Sequence, residues 1–171
     1  MKILILGLSG SGKSTLAKYL SDRLHLPLLY LDQVHFSENW IERSDADAAA
    51  TVAAFLSAYP DGWVIDGNYQ MYSFAERLEA SDRIIILLFP RISRLFRLIR
   101  RRIRYHGRVR ESVAPGCSER LDFAFLRWIL LDGCAPARME SFRLVAARYP
   151  DKVQIIKNQR ELDALYRLFR N

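Results

Sequence analysis

The chain predicts an α/β domain of three layers, with a parallel sheet held between two layers of helices. Three observations carry that reading. Five short apolar runs alternate along the chain with segments of helical periodicity. One of them, RIIILLF at 83–89, is apolar without alternation, as a central parallel strand buried on both faces must be. The first run passes directly into a glycine- and serine-rich turn and then a helical pattern.

KILIL at 2–6 is the first strand, and the apolar spacing from Ser14 to Leu24 is helical. Pro27 breaks that pattern, and LLYLD at 28–32 reads as the second strand, ending at Asp32. Residues 44–59 are alanine-rich and helical, and Ser44 with Asp47 three positions on approaches a capping box. GWVIDGN carries the third strand, ending at Asp66, with Gly67 as a turn. Pro90 stops the fourth strand, and an arginine-rich helix begins. Gly107 to Ser118 reads as a loop; two helices follow at about 120–132 and 137–149, divided by Asp132-Gly133 and Pro136. KVQII at 152–156 is the last strand, and Asn158, with Glu161 three positions on, caps a final helix. No repeat, low-complexity tract or linker interrupts this order, so residues 1–171 read as a single domain. Its connections are expected to be right-handed crossovers.

A chain of 171 residues with 50% hydrophobic content can bury a core of its own. The apolar start is too short for a signal peptide, and no run approaches the length of a membrane span. Cys117 and Cys134 form no paired-cysteine motif, which fits a reduced, cytoplasmic protein and argues against structural zinc. The charge is uneven. Net charge is +7, yet residues 91–110 alone contribute nine arginines and no acid, so the remainder carries −2. A near-neutral domain thus bears one intensely basic segment.

Positions 7–14, GLSGSGKS, match every fixed position of G-x-x-x-x-G-K-[ST] through Gly7, Gly12, Lys13 and Ser14. An ordinary flexible turn is the plain alternative, but the strand before and helix after are the context the phosphate loop needs. Glycine lets successive backbone N–H groups point inward, so Gly7, Ser9, Gly10, Ser11, Gly12 and Thr15 join Lys13 and Ser14 as expected nucleotide contacts. In such a loop the lysine lies against the β- and γ-phosphates, the Ser14 hydroxyl ligates Mg²⁺, and the helix start adds its dipole. The spacing G-x-x-G-x-G is not that of a dinucleotide site. Ligands of parallel sheets gather at the carboxyl ends of strands, here expected at Gly7, Asp32, Asp66 and Pro90. Two aspartates beside a phosphate loop suggest catalysis; each is also open to the plainer reading of a cap or turn former.

The chain resembles the adenylate-kinase-related P-loop kinases, and within them the topology modulation (FlaR-like) proteins. GLSGSGKST at 7–15, YLDQVHFSENW at 30–40, WVIDGNY at 63–69, FPRISRLFRLIRR at 89–102 and GCSERLDFAFLRWI at 116–129 carry the resemblance. It implies the P-loop nucleoside triphosphate hydrolase fold, with a five-stranded parallel sheet in the order 2-3-1-4-5 and a helical, arginine-bearing lid at about 100–120. It also implies ATP with Mg²⁺. By that likeness Asp66 orients metal-bound water, Asp32 aligns an acceptor hydroxyl, and Arg97, Arg101, Arg108 and Arg110 neutralise the transferring phosphoryl group. Two departures stand out. Nucleoside monophosphate kinases read D-G-F-P-R after strand three, whereas this chain reads Asp66-Gly67-Asn68-Tyr69-Gln70, leaving Arg77 as the candidate phosphate clamp. At positions 35–38, where the family tends to have Trp and Pro, this chain has His35 and no proline.

The leading expectation is a kinase with an acceptor held near Asp32, His35, Trp40 and Tyr69; packing serves Tyr69 and Phe36 at least as well, and His35 and His106 are more often structural than catalytic. A nucleic-acid-binding or DNA-topology-modulating protein is the alternative, with the arginine run tracking phosphates. A nucleotide switch is the third class; KNQR at 157–160 does not match the N-K-x-D guanine element. In the arginine run, Arg91, Arg94, Arg97, Arg101 and Arg104 are expected to form one basic face, and Leu95, Leu98, Ile99 and Ile103 an apolar face packed on the sheet. The acceptor, ATP against GTP, and monomer against homodimer stay open.

Overall fold

The computed structural model describes residues 1–104, 112–114 and 135–170. Its five strands are β1 (Lys2–Gly7), β2 (Leu28–Tyr30), β3 (Trp63–Asp66), β4 (Arg83–Leu87) and β5 (Val153–Ile156). They lie in the order β2-β3-β1-β4-β5, as expected, and every neighbouring pair is parallel. The described helices are α1 (Lys13–Leu24), α2 (Leu31–His35), α3 (Asp45–Ala58), α4 (Phe74–Ala80), α5 (Arg91–Arg104), α6 (Pro136–Arg148) and α7 (Gln159–Leu168).

The strands' alternation sorts the core into two layers. Leu4, Leu6, Ile65, Ile84 and Ile86 face one side, where Ala48 and Val52 of α3 and Phe142 and Val145 of α6 cover them. Ile3, Ile5, Val64, Ile85 and Leu87 face the other, against Leu16, Ala17 and Leu20 of α1 and Leu162 and Leu165 of α7. Because β1 and β4 have partners on both edges and helices on both faces, their runs are apolar at nearly every position.

Local signals behave largely as read. Ser44 caps α3, its Oγ accepting from the Asp47 N–H at 3.1 Å, while the Ser44 hydroxyl donates to Asp47 Oδ2 at 2.6 Å. Asn158 caps α7 by accepting from the Glu161 N–H at 3.0 Å. α1 ends at Leu24, with His25 in the left-handed conformation, two residues before Pro27 acts.

Several expectations are corrected. β2 stops at Tyr30, and Asp32 lies in the first turn of α2 rather than at a strand end. The chain turns helical there because i, i+3 spacing sinks Leu31 and Val34 into the core together. β4 ends at Leu87, although the Leu88 N–H still reaches Ile156 O at 2.8 Å. α4 has no counterpart in the sequence reading. The expected helix at 120–132 lies outside the described residues, as does the expected loop at 107–118 apart from residues 112–114.

The largest correction concerns α5. Its expected apolar face does not pack on the sheet: Ile99 and Ile103 are 43% and 73% exposed, and of that set only Leu98 is buried. The basic face is split, with Arg94 wholly buried, Arg97 and Arg101 half-buried and Arg91 exposed. The helix turns this way because the glycine-rich loop, not the sheet, is its neighbour, and that loop offers backbone carbonyls to guanidinium groups. No helix among the described residues is long and apolar enough to cross a membrane.

Candidate functional site

The loop between β1 and α1 is held from three sides. Gly7 adopts φ +135°, and a Cβ there would lie 2.3 Å from Leu87 O, so only glycine lets β1 run this close to β4. On the opposite edge Asn68, just past the end of β3, accepts from the Gly7 N–H at 2.9 Å and donates Nδ2 to Gly7 O at 2.7 Å. From above comes α5. Arg94 donates to Ser9 O at 3.2 Å, Arg97 donates to Ser11 O at 2.7 Å, and Leu98 lies over Gly10.

Gly12, at φ +98°, takes the N-cap position of α1 in the left-handed conformation. Gly12 has no side chain with which to cap that terminus, and no acidic residue stands in its first turn. Among the described residues no side-chain hydrogen bond is shown to the first N–H groups of α1, a terminus whose dipole suits an anion.

Lys13 is half-buried, and its Nζ donates to Leu8 O at 3.3 Å. Burial pushes its ammonium pKa down; Asp66 and Asp32 oppose this, and Arg101 and Arg138 add to it. Two carboxylates and two guanidinium groups thus act on the Lys13 ammonium. Ser14 donates its hydroxyl to Asp66 Oδ2 at 2.7 Å, and Asp66 is only 6% exposed. A hydroxyl and a carboxylate are the hard oxygen donors that Mg²⁺ takes, so this pair fits that ion. Ser11 is buried, Ser9 and Gly10 are half-buried along the loop, and Thr15 is exposed.

Of the arginines expected at the site, Arg97 is engaged in the cradle's wall. Beyond Ser11 O it donates to Gln159 Oε1 at 2.6 Å and lies 3.9 Å over the Phe89 ring. Burial lowers its pKa. Arg101 stands near Lys13 as described; Arg108 and Arg110 lie outside the described residues, as does His106.

The second half of the cleft gathers around Asp32. Tyr69 donates its hydroxyl to Asp32 Oδ1 at 3.0 Å, and burial together with the Asp32 charge drives the phenol pKa far upward. Tyr69 stacks on Tyr72 at 5.3 Å and 17°. The Tyr72 hydroxyl lies 2.6 Å from His35 Nδ1 and donates to Asp45 Oδ1 at 3.3 Å. Its pKa is raised by burial and by Asp45. His35 also packs against Phe36 and Tyr69, and Phe36 against Trp40. Val113 and Ala114, within the span expected as a lid, are buried with Trp40, and Gln33 donates to Val113 O at 3.5 Å.

Arg77 does not serve as an exposed phosphate clamp. It is wholly buried, donating Nε to Tyr72 O at 2.8 Å and Nη2 to Tyr69 O, with Phe74 under its guanidinium. Burial lowers its pKa to about 10. It holds the loop that presents both tyrosines.

The structure therefore brings together Lys13, Ser14, Asp32, Asp66 and Arg101, with His35, Phe36, Trp40 and Tyr69 beside Asp32. Sequence reasoning missed Asn68, Tyr72 and Arg138. Asn68 carried a signal, since an amide directly beyond a strand-end D-G can stand in for a peptide group; Arg138 carried none, being one of many arginines.

No protein-family model matches the chain, and no curated protein matches it in sequence. Solved structures do match in fold. A gluconokinase from Sinorhizobium meliloti 1021 is 18% identical, with a TM-score of 0.54 over 98% of this chain and 88% of that one. Shikimate kinase from Acinetobacter baumannii, in complex with shikimate, is 18% identical, with a TM-score of 0.59 over 98% and 89%. Deoxyadenosine kinase from M. mycoides with bound dATP is 14% identical, with a TM-score of 0.55 over 100% of both chains. At these identities the likeness is one of fold, and the fold is that of P-loop small-molecule kinases.

Proposed function

We propose that the protein is an ATP- and Mg²⁺-dependent phosphotransferase acting on a hydroxyl-bearing small molecule, nucleosides and nucleotides included. One arrangement carries the reading: Ser14, next to Lys13, donates to Asp66 at 2.7 Å, and Tyr69, three residues beyond Asp66, donates to Asp32 at 3.0 Å. A polyphosphate cradle and a second carboxylate thus face each other. That is the pairing phosphoryl transfer needs, because the chemistry is mostly positioning and electrostatics.

In this reading the open N–H groups of α1 and the Lys13 ammonium bind the β- and γ-phosphates. Ser14 and Asp66 would hold Mg²⁺, which when bound spreads the phosphates' charge. Asp32, fixed by Tyr69, takes the proton of the acceptor hydroxyl as the acceptor oxygen bonds to the γ-phosphorus and the bond to the leaving β-phosphate oxygen breaks. Arg101 and Arg138 stabilise the charge that moves, joined by Arg108 and Arg110 of the lid, while Arg97 shapes the cradle through Ser11. We read the whole chain as one domain. The likeness to topology modulation proteins adds support for a kinase-like protein without naming an acceptor.

The nucleic-acid alternative draws on a continuous arginine stripe, but Arg94 and Arg97 are spent on loop carbonyls. The deciding experiment incubates the protein with Mg·ATP and a panel of sugars, nucleosides, nucleotides and hydroxy acids, following ADP. Acceptor-dependent ADP formation is expected. No release with any acceptor, combined with tight DNA binding that falls steeply with salt, would overturn the reading in favour of the alternative.

A further inference from the structure

We propose that the turn Glu38–Ile41 is a strained latch, in which Trp40 holds residues 112–114 against the Asp32 half of the cleft. This rests on the kinase reading only in taking that half to be where an acceptor enters. The turn closes a short hairpin. Phe36 bridges Glu42, the Ser37 N–H donates to Ile41 O at 2.8 Å, and the Arg43 N–H donates to His35 O at 2.8 Å. At the tip the Ile41 N–H donates to Glu38 O at 3.3 Å. The two residues between, Asn39 and Trp40, have φ of +60° and +65°. Positive φ at both central positions marks a type I′ turn, whose preferred pair is Asn-Gly.

Asn39 suits its place, but Trp40 stands where glycine belongs. A bulky side chain at positive φ is an outlier, and such strain persists only where the surroundings hold it. Those surroundings are specific. The indole meets the Phe36 ring edge-on at 5.1 Å, and among the described residues the apolar side chain packed on Val113 and Ala114 is Trp40. Val113 and Ala114 are 4% and 3% exposed. Gln33, next to Asp32 on α2, donates its side-chain amide to Val113 O at 3.5 Å. Phe36 in turn meets His35, and His35 meets Tyr69, whose hydroxyl reaches Asp32. Residues 112–114 are thus joined to the surroundings of Asp32 through Gln33 on one side and Trp40 on the other.

Strain makes the two partners of this contact unequal. While residues 112–114 are docked, packing of the indole offsets its unfavourable φ. Once they leave, that compensation is lost and the left-handed pair relaxes. The coupling is reciprocal, so whatever disturbs the indole also weakens docking. Trp40→Gly removes indole and strain together, and so should free residues 112–114 while the hairpin stays closed. A residue that only fills space would behave otherwise, since its loss loosens both sides of the contact.

Three readouts on the full chain test this without using catalysis. Maleimide labelling of Ala114→Cys, located by mass spectrometry, reports release of residues 112–114. Amide exchange of Ser37 and Arg43 by NMR reports the hairpin, with Ile85 and Leu87 of β4 as the control for the fold. Carbodiimide labelling of Asp32 reports entry to the cleft. Trp40→Gly is expected to speed labelling at position 114 at least tenfold and to leave Ser37 and Arg43 exchanging as in wild type. Ala114→Asp sets a charge against the indole, and is expected to speed exchange of both hairpin amides at least tenfold while Ile85 and Leu87 stay protected. Val113→Ser is a milder release with the same expected direction, and it decides the matter if Ala114→Asp loses the β4 protection. Asp32 labelling should rise severalfold in each variant. The proposal is overturned if Trp40→Gly leaves position 114 protected, or if it frees the hairpin amides as well. It is also overturned if the releasing variants leave those amides protected, or if Asp32 labelling does not rise. A panel with no acceptor-dependent ADP formation would overturn the kinase reading and leave every one of these outcomes unchanged.

Discussion

The half of the cleft around Lys13 and the half around Asp32 are assembled in different ways. Residues 7–15 follow one another along the chain, and their geometry is set by local backbone conformation, with Asn68, Arg94 and Arg97 clamping it from outside. The half around Asp32 draws on α2, on the loop holding Tyr69 and Tyr72, on Asp45 at the start of α3, and on Val113 and Ala114. No two of these are contiguous. A contiguous site can be shared by many proteins, because it needs only a strand, a turn and a helix. A gathered site changes whenever any contributing segment changes. In the proposed function the first half would hold the phosphoryl donor and be generic, and the second would hold the acceptor and be particular.

Asp32→Asn breaks the comparison most sharply. It should lower phosphoryl transfer by about 10²–10⁴-fold, the range for losing a general base, while nucleotide binding is kept. ADP release with the preferred acceptor, beside titration with a fluorescent nucleotide, separates the two. Equal losses in both would mean that Asp32 serves the donor half instead. Lys13→Ala comes next. Removing one preorganised charge from the phosphates should cost about 10²–10³-fold in turnover with every acceptor, and nucleotide binding should weaken as well. Arg is expected to be a poor substitute, since a planar fork cannot occupy the place of a point charge. Turnover near wild type in Lys13→Ala would remove the phosphate-loop assignment.

The same contrast explains what could be read before the structure was known. The strand sequence, the strand–turn–helix around residues 7–14 and the place of Asp66 at the end of β3 were legible because each rests on residues adjacent in the chain, and the sheet order followed from the resemblance. The orientation of α5 was not. Its periodicity places arginines and apolar residues in rows, but which of them turn inward depends on the neighbour, a row of loop carbonyls that draws in Arg94 and Arg97 with Leu98 and leaves Ile99 and Ile103 outside. Asp32 was placed near the site for the wrong local reason, since burial of Leu31 and Val34 turns the chain helical before it is reached. α4 has seven residues, too short for its spacing of Phe74 and Leu78 to stand out. Arg77 looked like a ligand for an anion because its charge is legible and its burial is not.

Arg77→Met sharpens the comparison through stability. Losing the guanidinium leaves the buried carbonyls of Tyr69 and Tyr72 without these donors, and the loop they anchor carries the Asp32 contact. A loss of about 2–4 kcal/mol is expected in urea unfolding, offset in part because the buried charge goes too. Lysine should restore little, since one ammonium does not span both carbonyls in the manner of a fork. If the Arg77→Met protein unfolds at the wild-type urea concentration, the acceptor loop is held by packing alone. If it retains Asp32-dependent transfer despite the lost stability, Arg77 supports the fold and not the site.

Asn68→Ala is the smallest and most telling change, because it tests where the two halves meet. β1 continues past its ladder on the β4 side through the Leu8 N–H to Leu87 O bond of 3.1 Å. On the β3 side the last main-chain bond is the Gly67 N–H to Ile5 O, at 3.1 Å, and among the described residues the Gly7 amide beyond it meets the Asn68 carboxamide. That side chain supplies one donor and one acceptor, as a further residue of β3 would. Alanine removes both and should cost about 1–2 kcal/mol in stability. Because Gly7 opens the phosphate loop, nucleotide affinity should fall by about tenfold, a difference near 1.4 kcal/mol. Asp is the informative second variant. It keeps an acceptor for the Gly7 N–H but sets a carboxylate oxygen against Gly7 O, so it should bind nucleotide no better than alanine. Recovery in Asn68→Asp would show that the N–H contact alone pins the loop. Unchanged nucleotide affinity in both variants would show that Arg94 and Arg97 hold the cradle without help from the acceptor side.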